Sequence, residues 1–600
     1  MTGTFTTRPE IRGSFGVVAS THWIASAVGF GILERGGNAF DAAVAAGFTL
    51  QVVEPHLNGP GGEVPAIVWE AGAARARVLC GQGSAPAGAT IEHYRAEGLE
   101  LIPGSGLLAT VIPGAFDAWM LMLRDLGTMP LREVMAPAIH YARHGHPLLP
   151  RAAETIAGVA DLFREHWPTS AETWLIRGEV PAPHANFANP VLADTWERLL
   201  AEAEAVSGRE AQIERARDAF YRGFVAEAID RYLREAEVWD VSGAPRKGVL
   251  RGEDMARWQA RWEAPLWLDH AGWRVMKTGP WGQGPALLQA LGMLAHTGVA
   301  EMDPQGPDFI HTVIEAIKLA MADREAYYGD PDFFDVPVET LLSEDYLRER
   351  AALIGAAASR EERPGRVAGL EHLAEAAVAR AARQAAVANT GGAGAGEPTM
   401  AHLAPREGDT VHLDVIDAAG NMVSATPSGG WLQSSPVIPG LGFALNSRAQ
   451  MFWLEEGLPS SLRPGARPRT TLTPSLALGP EGQRLAFGTP GGDQQDQWQL
   501  IFLLRHLHHE PDMQAVIDAP LFHSMHFVSS FWPRRARPGW MMIEERAGEE
   551  VLKALAARGH ALEVAGPWSV GRLTAAARDA GGGLRAAATP RLMQAYAVGR

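Results

Sequence analysis

The sequence predicts an α+β protein in two parts, and three observations predict it. Between Pro113 and about Arg234, and again after Asp308, apolar residues recur at helical spacing. A Gly/Ala-rich stretch over 390–409, "TGGAGAGEPTMAHLAPREGD", then breaks the pattern and reads as a flexible linker. Beyond it the period changes to that of strands, beginning with "TVHLDVID" at Thr410. The division is therefore 1–409, mainly helical, and 410–600, strand-rich.

Each element has a local reason. "GNAFDAAVAAGFTLQVVEP" (Gly37–Pro55) reads as a helix capped by Asn38, with Asp41 in the first turn where a carboxylate suits the dipole. Its Ala-rich, nearly uncharged body implies burial on most sides. "GPGGEVPAIVWEAGAARARVLCG" reads as a Gly-rich turn followed by a hairpin. "DFIHTVIEAIKLAMADREAYYGDP" reads as an amphipathic helix on Ile310, Val313, Ile314, Ile317 and Ala320, ended by Gly329 and Pro331. A further helix is expected over about Arg360–Asn389. After the linker, Val411, Leu413 and Val415 alternate with His412, Asp414 and Ile416. "AAGN" is the turn and "MVSATPS" the return strand. "LTPSLAL" and "QRLAFGTPGGD" form another strand pair, and a helix, "QQDQWQLIFLLRHLHH", starts directly after Gly491-Gly492.

Composition narrows the function. The 600 residues carry a formal charge of −16, against a nucleic-acid groove, which needs clustered Lys and Arg. Cys80 is the one cysteine, so neither an intrachain disulfide nor a cysteine metal cluster is possible. It reads as a buried hydrophobe. There is no charged start followed by an apolar run and no apolar stretch of about 18 residues. The expectation is a cytoplasmic protein with no membrane or nucleic-acid partner; oligomeric state stays open. The His506–His509 run reads as histidines favouring a helix C-terminus, not as a metal site. No cofactor is implied. Trp281 reads equally as pocket wall or packing.

A threonine hydroxyl is a weak nucleophile without a base beside it. Making threonine the first residue of a chain supplies its own α-amine, with a pKa near 8, as that base. An internal threonine reaches that state only if the preceding bond, here Asp409–Thr410, is cut. Such chemistry also needs an oxyanion hole, and unpaired N–H groups at a helix start provide one. "FGTPGGDQQ" has the required strand, Pro-Gly-Gly turn and helix.

These segments resemble the γ-glutamyltransferase family of N-terminal-nucleophile hydrolases. The resemblance rests on six blocks in the family's order: "GGNAFDAAVAAG", "LGTMPLREVMAPAIHYARHG", "EAIKLAMADREAYYGDPDF", "TVHLDVIDAAGN", "RTTLTPS" and "GTPGGD". It implies a four-layer αββα sandwich formed jointly by two self-cleaved fragments. It also implies Thr410 as the acylated residue and Ser428 as a second hydroxyl bonded to it. Gly491 and Gly492 match the oxyanion pair, and Thr470 and Thr471 the hydroxyl pair at the substrate carboxylate. Thr426, on the same strand face as Ser428, is expected to contact the substrate. His412 and Asn446 are expected to shape the site.

Departures from the family restrict the substrate. The family arginine of "FREMAPA" holds a substrate carboxylate; the matching "CGQGSAPA" has Gln82. The family acids of "LNNQMDDF" grip an ammonium; the matching "LNSRAQMF" has Gln450 and Met451, with Arg448 nearby as an anion contact. A charge-assisted pair worth about 1.5–3 kcal/mol is lost at Gln82. These departures resemble the relatives that hydrolyse other amides, such as oxamate amidohydrolases and cephalosporin acylases. The expected function is a self-processing amidohydrolase acting on a small-molecule amide, its fragments staying together. Two other readings compete: a true γ-glutamyl hydrolase or transpeptidase, and an unprocessed binding module with the same fold.

Overall fold

The computed structural model describes residues 5–386 and 410–600. The predicted linker, Asp409 included, lies outside them. Among the described residues no helix is long and apolar enough to cross a membrane.

Two antiparallel sheets of seven strands each form the centre. The first runs in the order Tyr596–Gly599, Gly16–Ser20, Leu413–Asp417, Met422–Ala425, Val64–Glu70, Arg75–Gly81, Arg261–Glu263. The second runs Ile11–Gly13, Leu584–Ala588, Thr574–Arg578, Arg484–Gly488, Ser475–Leu478, Trp273–Lys277, Leu266–His270. Segments from both sides of the linker therefore contribute strands to each sheet.

Alternation along the strands assigns four layers. Val18, Val68, Leu413, Val415 and Val423 pack with the helices Trp23–Glu34, Ala39–Val53 and Ala115–Leu126. Their neighbours Val17, Ala19, Ile67, Ile416 and Met422 meet Leu476, Ala486, Ala576 and Ala586 of the second sheet. The opposite face of that sheet, with Ala477, Leu485 and Ala575, packs with the helices Gly284–Leu294, Pro307–Tyr327 and Gln495–His508. The result is the αββα sandwich.

The Asn38 cap forms as expected: its side chain accepts from the N–H groups of Phe40 and Asp41, and Asp41 returns a bond to the Asn38 N–H. The Ala39–Val53 helix is buried throughout. Three expectations need correction. The helix predicted to be amphipathic spans Pro307–Tyr327 and is buried from Phe309 to its end; its charged residues pair inside the protein, as Lys318 with Glu315 and Arg324 with Asp493. Of the helix expected over Arg360–Asn389, the described part is Glu371–Ala385; Pro364 disfavours helix just before it, and 387–389 lie outside the described residues. The helix after the Gly-Gly pair starts at Gln495, two residues later than expected.

Candidate active site

The strand carrying Thr410 is internal, between Gly16–Ser20 and Met422–Ala425. Its regular ladder starts at Leu413, not at Thr410. Pro427 opposite has no N–H to continue the ladder; the Val411 N–H still donates to the Pro427 carbonyl at 3.0 Å. Thr410 pairs with Ser428 through one bridge, and their hydroxyl oxygens are 3.3 Å apart.

Residues 410, 412, 414 and 416 share the face toward the second sheet, and it grades from apolar to polar. Ile416 is in the inter-sheet core. Asp414 accepts from the Thr574 hydroxyl at 2.7 Å and faces His412 Nε2 at 3.0 Å. His412 Nδ1 faces Thr426 Oγ1 at 2.9 Å. All four side chains are buried. Thr426, expected to contact substrate, here supports His412. Gly488 makes room for the imidazole: a Cβ there would lie 2.1 Å from the ring. His412 is thus wedged between the nucleophile strand and the strand leading to the Gly-Gly turn.

A row of side chains crosses the first sheet. Ser428 pairs with both Thr410 and Glu63. Gln82 falls opposite Glu63, one residue past the Val64↔Gly81 pair. Arg448 ties the row together: its Nε donates to Glu63 Oε1 at 2.6 Å and its Nη2 to Ser428 Oγ at 2.8 Å. The expected anion contact, Arg448, thus already lies against the buried Glu63 carboxylate. Its Nη1 keeps an unused donor. Asn446 clamps the adjoining loops, accepting from the N–H groups of Val111 and Arg448 and donating to Gly61 and Val111 carbonyls.

The predicted oxyanion turn follows the Arg484–Gly488 strand. Gly491 has φ +112°, and a Cβ there would lie 2.8 Å from Trp498; only glycine suits both. At Gly492 a Cβ would lie 2.4 Å from Phe531. Neither N–H donates a hydrogen bond to another described residue. The turn is held from behind: Asp493 pairs with Arg324 and accepts from the Ser530 N–H at 2.9 Å. Phe531 also packs with Met451 and Trp431, and the Arg448 guanidinium lies 5.1 Å from the Trp431 ring centre.

The remaining candidates are buried with distinct partners. Gln82 donates to the Gly83 carbonyl at 3.1 Å and leaves its Oε1 without a partner. Gln450 is consumed by Ser447 and the Trp532 N–H. Thr470 donates its N–H to Trp281, and the Thr471 hydroxyl has no partner. Trp281 packs between the sheets and donates to Glu263. Burial pushes the Cys80 thiol up to about 11, which leaves it inert at neutral pH. His508 faces His270 at 2.9 Å, and His506 faces the Glu510 carbonyl oxygen. Among the described residues, His311, Glu315 and His560 are close enough to share an ion. Lys318 and Arg363 already neutralise Glu315, so the trio is poorly suited to a cation.

Sequence reasoning missed Glu63, Arg324, Asp493 and Arg469. Arg324 and Asp493 were inside quoted blocks. Glu63 carried no signal, since its partner Arg448 lies 385 residues away.

Two stacked sheets between helical layers, with a hydroxyl residue opening an internal strand, define an enzyme of the N-terminal-nucleophile hydrolase fold. The chain belongs to the gamma-glutamyltranspeptidase family, whose family model matches residues 25–599. It is similar to the solved structure of LmbA2991HD, with 50% identity, a TM-score of 0.91 and 100% of each chain covered. It is similar to the oxamate amidohydrolase proenzyme of Klebsiella pneumoniae, 30% identical over 96% of this chain and 97% of that one. The crystal structure of cephalosporin acylase from Bacillus halodurans matches with a TM-score of 0.79 at 26% identity, covering 100% of this chain and 98% of that one.

Proposed function

We propose that the chain is the precursor of an N-terminal-threonine amidohydrolase. The Thr410 hydroxyl attacks the Asp409 carbonyl, the backbone acyl group shifts from nitrogen to oxygen, and water cleaves the ester. Residues 1–409 and 410–600 stay together because both contribute paired strands to each sheet. The freed α-amine then takes the proton of the Thr410 hydroxyl as its oxygen attacks a substrate amide. Gly491 and Gly492 N–H groups receive the oxyanion, the amine leaves with the proton, and water releases the acid. Ser428 orients the nucleophile, and His412 with Thr426 holds its strand.

The observation that carries this reading is the Thr410–Ser428 hydroxyl pair on internal strands. The acyl group is a small acid or a dicarboxylic chain without an α-amine. Gln82 and Met451 offer no charge to the two ends of a free γ-glutamyl head, and burying an unpaired ion is costly. The names of two relatives, oxamate amidohydrolase and cephalosporin acylase, support an amide substrate of this kind. The test compares kcat/KM for a glutaryl anilide and the matching γ-glutamyl anilide, which differ only in the α-amino group. The glutaryl compound should be at least as good. A hundredfold preference for the γ-glutamyl compound, about 2.7 kcal/mol, would replace this reading with a γ-glutamyl hydrolase or transpeptidase.

A further inference from the structure

Behind three of the site segments lies a buried chamber of charge. Arg324, Arg380, Arg469 and Arg534 surround Glu325 and Asp493, all six buried. Three of these cations have close partners. Arg324 pairs with Asp493, Arg380 donates to Glu325 at 3.3 Å, and Arg534 donates to the Met451 and Phe452 carbonyls at 3.1 and 3.0 Å. Arg469 is different. Among the described residues its Nε, Nη1 and Nη2 have no hydrogen-bond partner, and an oxygen of Glu325 lies 3.6 Å away. Glu325 already accepts from Arg380 and from the Trp453 indole at 2.8 Å. Four guanidinium groups against two carboxylates leave an excess of positive charge. Glu362 does not remove it, since burial pushes its carboxyl up to about 8.

The chamber touches the site from three sides. Arg534 holds the Met451–Phe452 turn. Arg324 bonds Gln283 at 2.7 Å, and Gln283 donates to the Gly492 carbonyl at 3.4 Å. Arg469 and Thr471 flank Thr470, which is bridge-paired with Gly282, and the Thr471 hydroxyl is likewise without a partner. A buried guanidinium with every donor idle is expensive unless a ligand completes it. A planar carboxylate fits its fork in two parallel bonds.

We propose that Arg469 is the specificity-determining residue of the acyl pocket, receiving the free carboxylate of a short dicarboxylic acyl group with the Thr471 hydroxyl as second donor. The proposal rests on the amidohydrolase reading for the acyl group and supplies the anion contact that Arg448, balanced by Glu63, is poorly placed to give. Burial, with the nearby Arg324, pulls Arg469 down to about 9, so it stays cationic at neutral pH and loses charge above that.

The test is isothermal titration of the purified enzyme with oxalate, succinate and glutarate, each against its neutral diamide. At neutral pH at least one anion should bind tenfold or more tighter than its diamide, and the preference should fade as pH rises past 9. Arg469→Leu should abolish the preference, and Arg469→Gln provides a second variant if the first does not fold. In parallel, the ratio of kcat/KM for glutaryl over valeryl anilide should fall at least tenfold in the variant that folds. Equal binding of anion and diamide by the wild type, or a preference unchanged in a folded variant, would overturn the proposal. Anion-selective binding by a chain that hydrolyses no amide would sink the amidohydrolase reading and leave the Arg469 site standing. Hydrolysis without anion preference would do the reverse.

Discussion

The proposed nucleophile end of the site is built from short side chains and backbone, whereas the proposed acyl-recognition end is built from long buried arginines. Thr410, Ser428, Thr426 and two glycines are positioned by strand register and by one tight turn. Arg324, Arg448 and Arg534 reach across tens or hundreds of residues to carboxylates and carbonyls. The difference teaches which part of such a site tolerates change. The backbone end has one geometry that works. The arginine end is a set of charge balances, and a few substitutions alter what it accepts.

Gly492→Pro should break the first end hardest. It removes one oxyanion donor, a loss worth about 2.7–4 kcal/mol of barrier, so kcat should fall roughly 100- to 1000-fold. A folded variant with near-normal turnover would place the oxyanion elsewhere. Gly488→Ala should come next. Its Cβ would sit 2.1 Å from the His412 ring, and overpacking of this kind costs about 1–3 kcal/mol. Denaturant unfolding should show that loss, and a time course on gels should show slower cleavage of the chain. An unchanged cleavage rate would remove His412 from the positioning role.

A smaller effect is expected at the recognition end. Gln82→Arg combined with Met451→Asp should shift the kcat/KM ratio toward the γ-glutamyl anilide by about tenfold, roughly 1.4 kcal/mol. No shift would mean that these positions do not face the head group. The last effect concerns stability. Burial raises Glu362 from 4.5 to about 8. Its folded form thus holds a proton that the unfolded chain gives up first. That stability is complete below about pH 4.5 and is lost as pH rises through about 8. Glu362→Gln should therefore flatten the fall of Tm between pH 5 and 8; an identical slope in the variant would contradict this.

Much of the nucleophile end was legible because it is local. The capping box at Asn38 and Asp41, the strand at 413–417 and the Gly-Gly turn each lie within one short segment. What was misread depends on context that only packing supplies. The helix Pro307–Tyr327 keeps a polar stripe, yet Glu315, Lys318, Arg324 and Glu325 find partners inside the protein instead of water. Thr410 opens the predicted run, but Pro427, across from Val411, delays the ladder to Leu413. Glu63 was invisible because no near neighbour in sequence marks its role, and Arg469, although inside the quoted "RTTLTPS", shows its burial among charges only in the fold.

The central claim is that Thr410 becomes a chain terminus, and intact mass with N-terminal sequencing of the purified protein tests it most directly. The wild type should give two fragments, 1–409 and a second that begins Thr410-Val411-His412 and remains bound to the first under native conditions. Thr410→Ala should give one full-length chain. An active wild-type enzyme of undivided mass, or a cut at any other bond in active protein, would contradict the account.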